Sequence, residues 1–383
     1  EAHNATADVE ATTRCFLELL RKAHYTEDEL KAEPGYITEF QSKNLEPFGL
    51  IGIKHTNLKK ASKALADQHQ PDQTKKPTQQ ELNQNLEHLS EETFVHLHNH
   101  SQFSILQSTL SVQDLIEVAS KNNMPAVALT DHANMMGAFH FVNAAKAYNK
   151  SLSKDQAEQN IKPIIGSEFF VCEDHLDKSH KDNGYQIVML AKNKNGYHNL
   201  AKMSSIAFTK GFYYVPRIDK KVIEQYKDDI IVLSGNLYGE IPSKLLNVGE
   251  NQAEEALIWW KSQFQDDFYI ELNRHQQEDE DRANQSLVKL AQKHEVKLVA
   301  TNNVYYENQD DANAHDVLLC VKDGEKQATP IGRGRGYRYG LPNQEYYFKS
   351  TEEMKALFRD IPEAIITIQE IVDKIEPFEL ARD

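Results

Sequence analysis

From Phe94 onward, short runs of apolar and β-branched residues alternate with longer stretches whose apolar positions recur at helical spacing. The short runs predict strands near 94–97, 126–130, 162–171 with a break at Gly166, 186–191, 230–234, 268–272 and 297–301. Between them the spacing predicts helices near 112–121, 197–208, 252–264 and 280–294. Ser111, followed by Asp114 three positions on, opens the first of these in the manner of a capping box. Strands separated in this way by helices belong to the α/β class, and their number points to a closed (β/α) barrel rather than an open sheet. No short repeat of fixed period is visible.

Upstream the texture differs. Val9, Phe16, Leu17 and Leu20 fall near helical spacing, so a small helical fragment is expected within 1–59. Residues 60–92 turn to Gln, Lys, Asn and Glu with two prolines and scattered Ala and Leu, the composition of a polar linker. A barrel domain over 93–383 completes the expected organisation. In 383 residues with 40% hydrophobic content there is ample material for its core.

Composition narrows the function classes. The apolar runs, 230–233 among them, are far shorter than the roughly 20 residues of a membrane-spanning helix, and no signal-peptide pattern opens the chain, so a cytoplasmic protein without membrane partners is expected. Cys15, Cys172 and Cys320 lie far apart, which argues against a disulfide framework or a cysteine-built zinc site. A formal charge of −15 opposes non-specific attraction to phosphate backbones. One basic segment, Gly332 to Gly340, reads either as a surface for phosphates and bases or as a solvated, glycine-rich loop. No glycine-rich phosphate loop appears. Trp259 and Trp260, in a helical stretch, read as packing residues, and the histidines at 140, 175, 180, 198, 275, 294 and 315 as surface or satisfied core groups.

Candidate chemistry gathers at strand ends. His96, His98 and His100 alternate where the first strand finishes, so an extended backbone would project all three to one side. Asp131 and His132 close the second strand, and Glu168 follows the run Pro163 to Ser167. Strand ends are where barrel enzymes assemble their sites. Imidazoles converging there are ligands for zinc, manganese or iron, and His98, His100, His132 and Glu168 are expected to face one pocket.

The segments HLHNHSQFSIL, TDHANMMGAFHF, PIIGSEFFV, LAKNKNGYHNLAKM, LSGNLYGEIP and VATNNVYY, in this order, resemble the run of PHP-domain motifs in bacterial DNA polymerase III alpha subunits. The resemblance extends from Phe94 to the C-terminus. It implies a distorted (β/α)7 PHP-type barrel whose metal-bearing members hold up to three ions and hydrolyse DNA from the 3′ end. Carried over residue by residue, it keeps His98, His100, His132 and Glu168 as metal ligands. At five further ligand positions this chain has Gln107, Gln186, Asn236, Asn303 and Tyr305 in place of ionisable groups. Losing charge at several ligands sharply weakens a multinuclear site. The site is therefore expected to be degenerate, with zinc, manganese or magnesium at partial occupancy or no metal at all.

A second resemblance covers the start of the chain. His3, Asp8 and the residues around them are similar to the last motif of DEDDh-type 3′–5′ proofreading exonucleases. The match implies that His3 takes a proton from the attacking water and that Asp8 holds one of two metal ions. It also implies that 1–59 is the tail of a fused exonuclease domain, with its other carboxylates upstream of a chain that begins too late to contain them.

Two functions are weighed. The first is a structural scaffold within a replicative polymerase alpha subunit, bracing the polymerase and its proofreading module and meeting DNA and the other replisome subunits through the full-length protein. The second is a working metal-dependent phosphoesterase or residual 3′–5′ exonuclease. A sugar-processing barrel finds no pair of strand-end glutamates to serve as acid and nucleophile.

Overall fold

A computed structural model describes residues 5–49, 77–332 and 334–380. Two compact units emerge, 1–76 and 77–383. In the first, helices span Ala5–Arg21, Glu27–Leu30 and Tyr36–Lys43. Thr26 and Glu29 form a reciprocal capping box that starts the short middle helix. Leu20 and Ile37 are buried, and the ring of Phe40 stacks on Phe48 at 6.1 Å.

The second unit is α/β. Its strands are β1 (Ala126–Leu129), β2 (Lys162–Cys172), β3 (Tyr185–Ala191), β4 (Arg217–Asp219), β5 (Ile230–Leu233), β6 (Phe268–Leu272) and β7 (Lys297–Ala300). They form one sheet in the order β1-β2-β3-β5-β6-β7, with β4 added alongside β2. The pairs β1–β2, β5–β6 and β6–β7 are parallel, joined through helices that cover the outside. β3 runs antiparallel to both β2 and β5, a departure from a uniform βα series. The cause is local: no helix intervenes between Cys172 and Tyr185, and a connection without a crossover returns the chain in the opposite direction.

The barrel is closed by the segment around the clustered histidines rather than by a regular strand. Ala128 N and Thr130 N donate to the carbonyls of His96 and Asn99 on one side. His100 N donates to Val304 O at 2.9 Å and Val304 N to His98 O at 3.1 Å on the other. The segment expected as a strand at 94–97 is thus an extended tie between β1 and the end of β7, with its own Phe94, Val95 and Leu97 buried. β2 is continuous through Gly166, where a Cβ would lie 2.5 Å from the Met189 carbonyl: glycine permits the close strand approach instead of breaking the strand.

Part of the expected linker is ordered. A helix runs from Gln79 to His88, opened by a Thr78–Glu81 capping box, and Asn85 donates to Arg359 O at 2.8 Å. Leu82, Leu86 and Leu89 give it an apolar edge that the surrounding Gln and Asn diluted in the sequence. Residues 60–76 lie outside the described residues. Among the described residues no helix is long and apolar enough to cross a membrane.

Candidate metal centre

Three segments deliver four polar groups to the same mouth of the barrel. The tie segment supplies His98 and His100, the turn after β1 supplies His132, and β2 supplies Glu168, locked to that turn because Ala133 N donates to Glu168 O and Glu168 N to Asp131 O. Glu168 has no exposed surface and sits at the centre. Its Oε2 is 2.7 Å from His98 Nε2 and 3.9 Å from His100 Nε2, and its Oε1 is 2.8 Å from His132 Nδ1. That last approach is close but misaligned, for Glu168 Oε1 and His132 Nδ1 are both buried without a hydrogen bond.

Electrostatics follow from this packing. Burial opposes a charge on Glu168, but His132 and His98 outweigh it and hold the carboxyl well below its usual range. Burial likewise pulls the His98 imidazole down, yet Glu271 and Glu168, one at each ring nitrogen, raise it to about 10. His100 is pushed well below 6.5 by burial and by its neighbour His132, whose ring stacks on it at 4.2 Å.

The donor set fits a divalent cation. One ligand atom each from His98, His100 and Glu168 lie within 4.8 Å of one another, and nitrogen with carboxylate oxygen is the donor chemistry of zinc and manganese. The unsatisfied Glu168 Oε1 and His132 Nδ1 are the kind of buried atoms an ion would satisfy.

The remaining expected residues divide. Asn303 Oδ1 meets His100 Nε2 at 2.9 Å, and the Tyr305 ring stacks on His100 at 4.3 Å. Gln186, at the start of antiparallel β3, accepts a bond from Asn236 Nδ2 at 3.2 Å. Gln107 turns away: its carbonyl meets His315 Nε2 and its amide oxygen faces Lys322. His96 is also apart from the cluster, contrary to simple alternation. Its Nε2 meets Lys349 O at 2.7 Å, its ring packs between Phe94 and Phe348, and burial lowers its pKa to about 3. The tie segment is not a regular pleat, so equal spacing does not give equal direction. His3 lies outside the described residues. Asp8 belongs by its backbone to the first helix, and its side chain lies outside what is described.

Two acidic groups carry parts that the sequence reading left unassigned. Glu271 on β6 holds His98 Nδ1 at 2.7 Å, with Thr301 Oγ1 donating to the same carboxylate oxygen. A carboxylate inside the apolar run Phe268–Leu272 was its only sequence signal. Asp131 accepts from Ser101 N, Ser101 Oγ and Ser104 Oγ, so it braces the loop behind the histidines rather than joining them. His175, His275 and His315 are satisfied within the fold by Asp219, by Glu280 with the Asn302 carbonyl, and by the Gln107 carbonyl.

Residues 96–275 match the PHP domain family. The chain is 38% identical over 291 residues to the DNA polymerase III subunit alpha of Borreliella burgdorferi, an alignment covering 75% of this chain and 24% of that protein. It is 36% identical over 292 residues to the subunit of Campylobacter jejuni, covering 73% and 23%, and 36% identical over 287 residues to that of Treponema pallidum, covering 74% and 23%. The chain thus spans about a quarter of the length of the curated relatives it matches. With a histidine–glutamate cluster at the mouth of its barrel and these relatives along three quarters of its length, the chain carries a PHP domain over residues 96–275 and is a homologue of DNA polymerase III alpha subunits.

Proposed function

We propose that the chain is a portion of a replicative DNA polymerase alpha subunit whose PHP barrel serves chiefly as a scaffold for the polymerase and its proofreading exonuclease. The observation that carries this reading is the composition of the barrel mouth. His98, His100, His132 and Glu168 form one buried cluster, whereas Gln186, Asn236, Asn303 and Tyr305 beside it bring only neutral groups. Such a mouth has donors for one divalent ion, zinc, manganese or magnesium, and lacks the charge that two or three ions need. An ion held there would supply Lewis-acid polarisation of a phosphoryl oxygen. The protein's own contribution is to fix His98 through Glu271, to hold His100 against Tyr305, and to keep water from Glu168 by burial.

On this reading 93–383 is the PHP domain, 60–92 joins it to what precedes, and 1–59 is the tail of a DEDDh-type exonuclease domain with His3 as base and Asp8 as ligand. DNA and the other replisome subunits are the partners, in the cytoplasm. Homology to polymerase alpha subunits supports the setting, and the spacing of His3 and Asp8 supports the exonuclease tail.

A second reading, a metal-dependent phosphoesterase, draws on the fit of the donor set to a cation. Metal analysis of the purified, metal-challenged chain, together with digestion of a 3′-labelled single strand, separates the two. The scaffold reading expects substoichiometric metal and no digestion. Stoichiometric metal with digestion lost in both His98→Ala and Glu168→Ala would overturn it in favour of the phosphoesterase.

A further inference from the structure

We propose that the surface formed by segments 173–184 and 208–217 binds single-stranded nucleic acid, stacking bases on exposed aromatic rings and meeting phosphates with lysines. None of its residues belongs to the histidine–glutamate cluster. Its binding assay is separate from metal analysis and strand digestion, so this inference and the scaffold reading can fail independently.

The backbone holds this surface rigid and strained. Tyr214 has a φ of +63°, a left-handed conformation that a bulky L-residue rarely takes. Tyr213 N donates to Val215 O at 3.1 Å, closing a tight turn whose tip, Tyr214, is 61% exposed. Arg217, fully buried, donates to the carbonyls of Gly211 at 3.0 Å, Asp182 at 2.9 Å, Asp177 at 2.9 Å and His175 at 3.4 Å, which locks the two segments together. Gly211 passes so close to Arg217 that a Cβ there would lie 1.9 Å from the Arg217 carbonyl oxygen. Strain kept in a braced loop whose strained side chain faces solvent points to function, since a ring so exposed gains little packing to offset it.

Apolar side chains gather on this frame. Phe208 and Phe212, 45% and 49% exposed, pair at 6.4 Å, and the Tyr213 ring meets that of Tyr214 at 4.7 Å. Leu176, between the two carbonyls of His175 and Asp177 that Arg217 holds, is exposed as well. Several large apolar groups left uncovered on one rigid face mark an interaction site.

Charge selects the partner. Lys178, Lys181 and Lys210 are exposed, and among the described residues none of them meets a carboxylate. Lys181 Nζ sits 4.8 Å from the centre of the Tyr214 ring. Asp174, Asp177 and Asp182 accept instead from the backbone amides of Leu176, Ser179 and Gly184, at 2.9, 2.8 and 2.9 Å, which turns them into their own loop; Glu173 makes no such bond. A purely apolar partner would strip water from the ammonium groups and replace it with nothing. Unpaired nucleotides bring both complements, flat base faces for the rings and phosphates for the lysines, whereas a duplex keeps its base faces inside the stack. With a net charge of −15, attraction to phosphate is confined to a local patch of this kind.

Fluorescence anisotropy of the full chain with a labelled oligothymidine of about 12 nucleotides tests this, against an abasic strand and a duplex of equal length. Saturable binding is expected, with both controls held roughly tenfold or more weakly. Affinity should fall about 5–100-fold in Phe212→Ala and in Tyr214→Gly. Lys181→Gln and Lys210→Gln should each flatten the dependence of log affinity on log salt by about 0.7. Glycine adopts φ +63° readily, so Tyr214→Gly removes the ring while the turn persists, and far-UV circular dichroism checks the fold of every variant. Absence of binding by the wild-type chain, affinity unchanged in the folded ring variants, or equal binding of the abasic strand or the duplex would overturn the proposal.

Discussion

Glu271 grips His98 from behind: its Oε1 lies 2.7 Å from His98 Nδ1, and neither side chain has any exposed surface. Carboxylates in this position fix a histidine's ring orientation and raise its basicity as a ligand. Glu271→Ala is expected to weaken retention of zinc or manganese by about 10–100-fold, read by competition with a chelator. It also leaves a buried imidazole facing Glu168 with no second carboxylate, so urea denaturation should show a loss of about 3–5 kcal/mol. Glu271→Gln, which keeps an acceptor, should recover part of both.

Arg338 ties down the glycine-rich segment. Its guanidinium donates to both carboxylate oxygens of Asp316, at 2.6 and 2.9 Å, and to the carbonyls of Thr329 and Gln327. Within a segment whose sequence reads either as a surface for phosphates and bases or as a solvated loop, Arg338 is a buried strut. Arg338→Ala should cost about 1–3 kcal/mol and speed tryptic cleavage after the exposed Arg335, followed by mass spectrometry.

Glu240 makes stability depend on acid. Burial disfavours its charge, but Lys220 and Lys244, at 2.9 and 2.7 Å, hold its pKa below the ordinary 4.5, and Trp260 Nε1 donates to its second oxygen at 2.8 Å. A depressed carboxyl contributes stability above the unfolded-state value of about 4.3, and that contribution is lost as pH falls through the lower folded value. Thermal unfolding followed by tryptophan fluorescence should therefore show a drop in midpoint below about pH 4.3. The drop should be smaller in Glu240→Gln, which starts from a lower midpoint at pH 7.

Gly235 shapes the turn after β5. Its φ is +84°, and a Cβ there would lie 2.1 Å from the Gln186 carbonyl oxygen. Gly235→Ala is expected to cost more than about 2 kcal/mol, combining left-handed strain with a backbone clash. Chemical denaturation checks the magnitude, and loss of slow exchange at the Gln186 amide, which donates to Tyr238 O, locates the damage.

The alternation of short apolar runs with amphipathic stretches determined the α/β class, the six regular strands that recur near their expected positions, and the Ser111 cap. These are local properties, because backbone periodicity and capping involve residues a few positions apart. Composition also set the neutral character of Gln186, Asn236, Asn303 and Tyr305. What the linear pattern could not carry was direction and long-range partnership. His96 and His98 share a spacing but not an environment, since one meets Lys349 and the other Glu168. Glu271 reaches His98 across 173 positions and Asn303 reaches His100 across 203, contacts that exist only because the tie segment closes the barrel between β1 and β7. The reversed β3 and the ordered helix at 79–88 arise in the same way. A connection without a crossover helix decides the first, and an apolar edge at Leu82, Leu86 and Leu89, ending on the buried Leu89, decides the second. Side-chain convergence is a property of the closed sheet, and the sheet is closed by hydrogen bonds between segments that no local window contains.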